Sequence, residues 1–264
     1  MEKISVMIPT MNLDLVEYSI KSLLQNSTYE PEILVWDNRV EPEEGHLGVA
    51  QETHELWLKF DGKIRVFGDL GNIGIPAAYN RMAKKASNGI LWAADDDYYY
   101  PRGWDEPLIE IMERDRLSSV TPHISRHPIM IEPLDGNPNT IYKDFGRAPD
   151  VFRKDEFDKF ANEQLPWPGF KEERVNPNCP CAVWKDTWAA LDGWDEDYFP
   201  GFGADPDFLI RLRNMGGKML SAPNCYFYHF SGTTSSGMPR NESREMFLKK
   251  HGIAIKQFVE SMRK

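Results

Sequence analysis

Three carboxylates stand side by side at Asp95, Asp96 and Asp97, directly after the apolar residues Ile90–Ala93. Adjacent anions repel, and a buried run gains nothing obvious by ending in three of them, so the pattern asks for a cation. A divalent ion bridging protein carboxylates to phosphate oxygens would supply it. The plain alternative is a solvated acidic turn or a helix cap; the position after a core run, with Tyr98-Tyr99-Tyr100-Pro101 following, favours the ion. A second acidic pair, Asp205 and Asp207, lies in "YFPGFGADPDFLIRLRNMGG". Asp205 precedes Pro206 and an apolar stripe of Phe208, Leu209, Leu212 and Met215. It therefore reads either as an N-cap followed by a first-turn proline or, with Gly201 and Gly203 admitting a ligand close to the backbone, as a general base for a sugar hydroxyl. The third feature is His229 in "CYFYHFSGTTSSG". It reads either as a hydrogen-bonded core histidine or as an imidazole ligand for a Mn²⁺-like ion, and the hydroxyl-rich run 231–236 beyond it is able to grip phosphate or sugar.

Short apolar runs alternate with amphipathic stretches over the first hundred residues. Strands are predicted at 4–8, 33–36, 64–67 and 90–93, and helices at 15–24 with Asp14 as cap, at 43–59 and at 76–86. This alternation with short connections predicts a mostly parallel sheet covered on both faces, with ligands beyond the carboxyl ends of its strands. Asp37 and Asp95–Asp97 then face one crevice. Further on, the pattern predicts a helix at 104–114, a strand at 119–124 and a helix near 152–162 within an irregular stretch, 125–180. A strand at 179–184, helices at 187–191 and 206–215, strands at 218–221 and 225–230, and one or two terminal helices complete the reading. Trp167 and Phe170, among prolines, suit either acceptor stacking or a loop anchored by buried aromatics.

Composition narrows the function. The chain has 264 residues, 41% hydrophobic and 27% charged, with a formal charge of -10. That balance fits a folded globular protein and excludes broad binding to nucleic acid. The three cysteines, Cys179, Cys181 and Cys225, form no disulfide framework and fit a reducing compartment, and Cys179 and Cys181 read as small core residues. With no secretory h-region and no 18-residue apolar run, the expectation is a cytoplasmic protein without a transmembrane segment. A phosphate-cradling G-x-x-x-x-G-K-[ST] loop is absent, and Gly201-x-Gly203 lacks the strand and third glycine of a dinucleotide fingerprint.

Taken in order, "SVMIPTMN", "ILVWDN", "GNIGIPAAYN", "WAADDD" and "LDGWDEDYFPGFGADPDFLIRLRNMGG" resemble the family 2 glycosyltransferases of GT-A fold, over most of the chain. The resemblance implies an α/β fold with a mostly parallel, Rossmann-like sheet flanked by helices and a smaller mixed sheet on the acceptor side. It implies a single domain, with residues 1–124 as the nucleotide-sugar half, 125–235 as the acceptor-binding and catalytic half, and 236–264 as a helical tail. The implied activity is a hexosyltransferase-type transfer from a nucleotide-diphosphate sugar, UDP-sugar favoured, to a hydroxyl on a glycan or other acceptor. It proceeds with inversion and with Mn²⁺ or Mg²⁺. Carried over by position, Pro9, Thr10, Asn12, Asp37, Asn72, Gly74, Asn80, Asp95 and Asp96 line the donor, and Asp97 and His229 hold the metal. Asp205 is the base, and Trp167, Phe202 and Asp207 lie toward the acceptor. One departure stands out: the glutamate expected before Asp205 is Ala204.

Two other functions fit part of the pattern. A nucleotidyltransferase would use a related sheet and the same ion, but it needs an early basic residue for a triphosphate, and between Met7 and Thr28 only Lys21 is basic. A sugar-nucleotide- or glycan-binding module without turnover is favoured by Ala204.

Overall fold

The computed structural model describes residues 2–39, 49–68, 71–126, 140–163, 181–230 and 240–262. Its strands are β1 (Ile4–Thr10), β2 (Glu32–Asp37), β3 (Ile64–Gly68), β4 (Ile90–Ala93), β5 (Tyr98–Tyr99), β6 (Ser118–Arg126), β7 (Thr140–Tyr142), β8 (Cys181–Trp184) and β9 (Lys218–His229). Its helices are α1 (Leu13–Asn26), α2 (Val49–Lys59), α3 (Ile75–Lys85), α4 (Asp105–Arg114), α5 (Lys154–Glu163), α6 (Lys185–Ala190), α7 (Ala204–Asn214), α8 (Arg240–His251) and α9 (Ile255–Met262).

Among the described residues the strands form one sheet in the order β3-β2-β1-β4-β8-β6-β9-β5, with β7 on β6. β3, β2, β1 and β4 are mutually parallel, as the strand–helix alternation predicts. The smaller mixed region begins at β8, antiparallel to both β4 and β6. It is hydrogen-bonded to the parallel half rather than separate from it. A register shift at Pro122/His123 bends β6 against β9, and beyond it β5 and β7 join.

Side-chain alternation sorts the parallel strands onto two cores. Val6, Ile8, Ile33 and Val35 pack on one face with Val16, Ile20, Leu108 and Met112 from α1 and α4. Met7, Leu34 and Trp36 pack on the other with Ala78, Tyr79 and Met82 from α3 and Phe208 and Leu212 from α7. A third cluster of Tyr99, Phe145, Phe157, Tyr226, Tyr228 and Phe230 seals the mixed end. Each large apolar side chain buried in this way contributes roughly 1.5–3 kcal/mol.

Several boundaries depart from the sequence reading, each for a local reason. The cap of α1 is Asn12, whose amide oxygen accepts from Asp14 N and Leu15 N; Asp14 sits in the first turn instead. α7 starts at Ala204, one residue before the predicted cap, because Gly203 takes a left-handed φ of 95° at the N-cap position and no side chain caps the helix. The two strands predicted at 218–221 and 225–230 are one, β9, made continuous by pairing along all of β6. β5 and β7 are too short to show a period in sequence. Cys181, as read, and Cys225 are buried thiols. Cys179, Trp167, Phe170, the 231–236 run and the first part of the helix predicted at 43–59 lie outside the described residues. No described helix is long and apolar enough to cross a membrane.

Candidate active site

The acidic triplet leaves β4 at the ligand end of the parallel sheet, and its three carboxylates diverge. Asp96 turns inward: Thr10 Oγ1, from the end of β1, donates to its Oδ2 at 2.7 Å, and the residue is only 5% exposed. Burial raises its pKa to about 8, with the neighbouring Asp97 charge adding to the effect. Thr10 Oγ1 also accepts from Asn12 N, so β1, the start of α1 and the triplet form one network.

Asp95 and Asp97 meet His229. β5 pairs antiparallel with β9, setting Tyr98 opposite His229, and Phe230 N donates to the Asp97 carbonyl at 3.0 Å. His229 Nε2 then lies 2.8 Å from Asp97 Oδ1 and 4.0 Å from Asp95 Oδ2. One ligand atom from each of the three residues falls within a 4.8 Å cluster. Asp97 Oδ1 is buried with the imidazole nitrogen beside it but no well-aligned hydrogen bond, an arrangement that a cation shared by the two side chains would complete. Tyr98 OH donates to Asp95 Oδ2 at 2.9 Å and orients it, while the Tyr98 ring packs 4.6 Å from the imidazole. Two carboxylates and an imidazole make a donor set suited to a Mn²⁺- or Mg²⁺-like ion. Asp95 belongs to that set, beyond the donor-lining place the resemblance gave it. The i, i+2 spacing of Asp95 and Asp97 carried that signal.

The remaining donor-side positions separate into two groups. Pro9 pairs with Trp36 inside the sheet. Asn72 Oδ1 accepts from Gly74 N, and Gly74, at φ 82°, opens α3. A Cβ on Gly74 would fall 2.9 Å from the Phe199 ring, and Ile75 N donates to the Pro200 carbonyl. The loop ahead of α3 and the 199–203 loop ahead of α7 therefore touch, which brings the start of α7, with Asp205 half-buried in its first turn, alongside the loop that carries Asn72 and Gly74.

Three positions have other work. Asp37 is 2% exposed, and its carboxylate already accepts from Arg39 N, Nε and Nη2 and from Thr53 Oγ1. As placed, it offers no lone pair to a base or ribose; Arg39, which also pairs with Glu52, covers it. Asn80 is spent on the 194–196 loop, donating to the Trp194 carbonyl and to Glu196 and accepting from Trp194 N. Asp207 is fully buried and bound by Arg211 Nε, Lys250 Nζ and His251 Nε2, each at 2.7 Å, so its carboxylate does not face an acceptor. Burial alone would raise its pKa, but the Lys250, His251 and Arg211 donors hold it below the ordinary carboxylate range. Phe202 is half-buried, with the guanidinium groups of Arg240 and Arg244, one turn apart on α8, each 5.6 Å from its ring.

Comparison with known proteins agrees with this fold. Among solved structures, GalNAc-T7 with UDP, GalNAc and Mn²⁺ superposes with a TM-score of 0.62 at 16% identity, covering 99% of this chain and 55% of that one. Residues 1–349 of S. aureus TarS superpose with a TM-score of 0.58 at 13% identity, covering 86% of this chain and 60% of that one. The chain thus spans a little over half the length of each, and the likeness establishes the GT-A fold. A search of curated proteins found no match. The glycosyl transferase family 2 model matches residues 5–163, and on that match this chain belongs to glycosyl transferase family 2.

Proposed function

We propose that this chain transfers a sugar from a nucleotide-diphosphate sugar to an acceptor hydroxyl, with inversion and with a divalent ion at Asp95, Asp97 and His229. The observation that carries the reading is the convergence of those three side chains, with one ligand atom from each within 4.8 Å of the others and the Asp97 oxygen buried between them. When bound, the ion neutralises the diphosphate as it leaves. Asp205 is the general base: its carboxylate takes the acceptor hydroxyl's proton as the new glycosidic C–O bond forms and the bond from the anomeric carbon to phosphate breaks. The competing explanation, Asp205 as N-cap, does not hold, since Gly203 is the N-cap of α7 and Asp205 lies in its first turn. Thr10, Pro9, Asn12, Asn72 and Gly74 line the donor side, and Phe202 lies toward the acceptor. UDP-sugars are the favoured donors because the GalNAc-T7 structure contains UDP and Mn²⁺.

A second reading, a binder without turnover, draws on Ala204. That residue is fully buried and supplies no carboxylate in place of the expected glutamate. Thermal-shift measurements with UDP-, GDP-, dTDP- and CMP-sugars, with and without Mn²⁺, test the donor and the ion together. A stabilisation that needs both partners, followed by slow release of free nucleotide, supports the enzyme. Stabilisation without release supports the binder, and no shift with any pair contradicts both.

A further inference from the structure

Beside the metal trio lies a cation with no assigned task. The β6–β9 register sets Arg126 directly opposite His229, and the β5–β9 register sets Tyr98 opposite His229 from the other side. Residues paired across neighbouring strands project from the same face, so Tyr98, His229 and Arg126 form one row along the rim of the carboxylate cluster. Arg126 Nε is buried and receives no hydrogen-bond partner. Among the described residues no carboxylate lies within ion-pair reach of its guanidinium, although its charge acts on both Asp95 and Tyr98. A half-buried arginine held in this way is costly unless an anion completes it.

We infer that Arg126, from its place beside His229, binds the diphosphate of the donor through its planar guanidinium. With a dication offsetting Asp95 and Asp97, the arginine's own charge is left for an outside anion. A guanidinium offers phosphate oxygens paired, charge-assisted hydrogen bonds that a lysine would not reproduce. Arg126 is then a binding residue for the leaving group, which gains negative charge as the glycosidic bond breaks. The inference rests on the glycosyl-transfer reading above.

Titration calorimetry on the wild type, Arg126→Met and Arg126→Lys tests it, using UDP, GDP and dTDP with Mn²⁺, each against its phosphate-free nucleoside. The diphosphate that binds the wild type should weaken on the order of ten- to a hundredfold in Arg126→Met and recover partly in Arg126→Lys. Nucleoside affinity and the affinity for Mn²⁺ alone should not fall. Undiminished diphosphate affinity in Arg126→Met overturns the inference and redirects the arginine to another anion, such as a sugar carboxylate. An equal loss of Mn²⁺ affinity also overturns it, since the arginine would then support the trio itself. If the wild type binds none of the three diphosphates, the glycosyl-transfer reading fails first, a result distinct from the other two.

Discussion

Asp96 and Asp97 are chain neighbours with opposite environments, and the difference sets what each can do. Asp96 faces Thr10 and is pushed toward neutrality, whereas Asp97 faces His229 and keeps a buried oxygen for a cation. Asp97→Ala should therefore abolish metal-dependent donor binding, read as loss of the Mn²⁺-dependent part of the thermal shift. Asp205→Asn should behave differently. Donor affinity should stay near the wild-type value while turnover falls by on the order of 10²–10⁴, the usual contribution of a general base. A normal transfer rate in Asp205→Asn would remove Asp205 from that role. Sequence alone pointed to the triplet and to His229, because a carboxylate row after a core strand has few structural uses. The resemblance set Asp97 apart as the metal ligand, but that Asp96 turns inward depends on Thr10, eighty-six positions away, and could not be read there.

At the scale of elements, residues that read as one motif divide by task. In the N-x-G-x-x-x-A-x-N pattern, Asn72 and Gly74 shape the entry to α3, while Asn80 fastens the loop between α6 and α7. Asn80→Ala leaves Trp194 N and its carbonyl without partners and should cost about 1–3 kcal/mol in unfolding free energy. Donor affinity should be retained; a selective loss of donor binding at unchanged stability would restore Asn80 to the nucleotide site. The α7–α8 junction makes a further prediction. Asp207 meets Arg211, Lys250, His251 and Tyr198, with Asp195 sharing Lys250. Because its pKa is lowered in the fold, its contribution is present above the ordinary carboxylate pKa of about 3.9 and is lost as pH falls below that value. The melting-temperature gap between wild type and Asp207→Asn should be open at pH 7 and should narrow below pH 4. A gap that stayed constant with pH would show that the carboxylate's charge is not what holds α8 to α7. Capping was the weakest part of the sequence reading. Asp14 and Asp205 have the chemistry of caps, but Asn12 and the left-handed Gly203 occupy the cap positions two residues earlier.

Over the whole molecule, the parallel half was legible because both of its faces are buried, so its strands appear as unbroken apolar runs between amphipathic helices. The mixed half was not. β5 is two residues long and β7 three, and β9 follows β6 through a register shift that carries no sequence signal. Yet the mixed half completes the site, since β5 and β9 bring His229 to the triplet. Sheet topology thus joins residues 95–97 to residue 229, and the proposed chemistry depends on that junction. The most direct test is crystallographic: anomalous scattering at the manganese edge from crystals soaked with Mn²⁺ and UDP. A single strong peak within coordinating distance of Asp97 Oδ1 and His229 Nε2, beside diphosphate density, is the expected result. Ordered nucleotide with manganese elsewhere, or with no manganese peak at these side chains, would contradict the account.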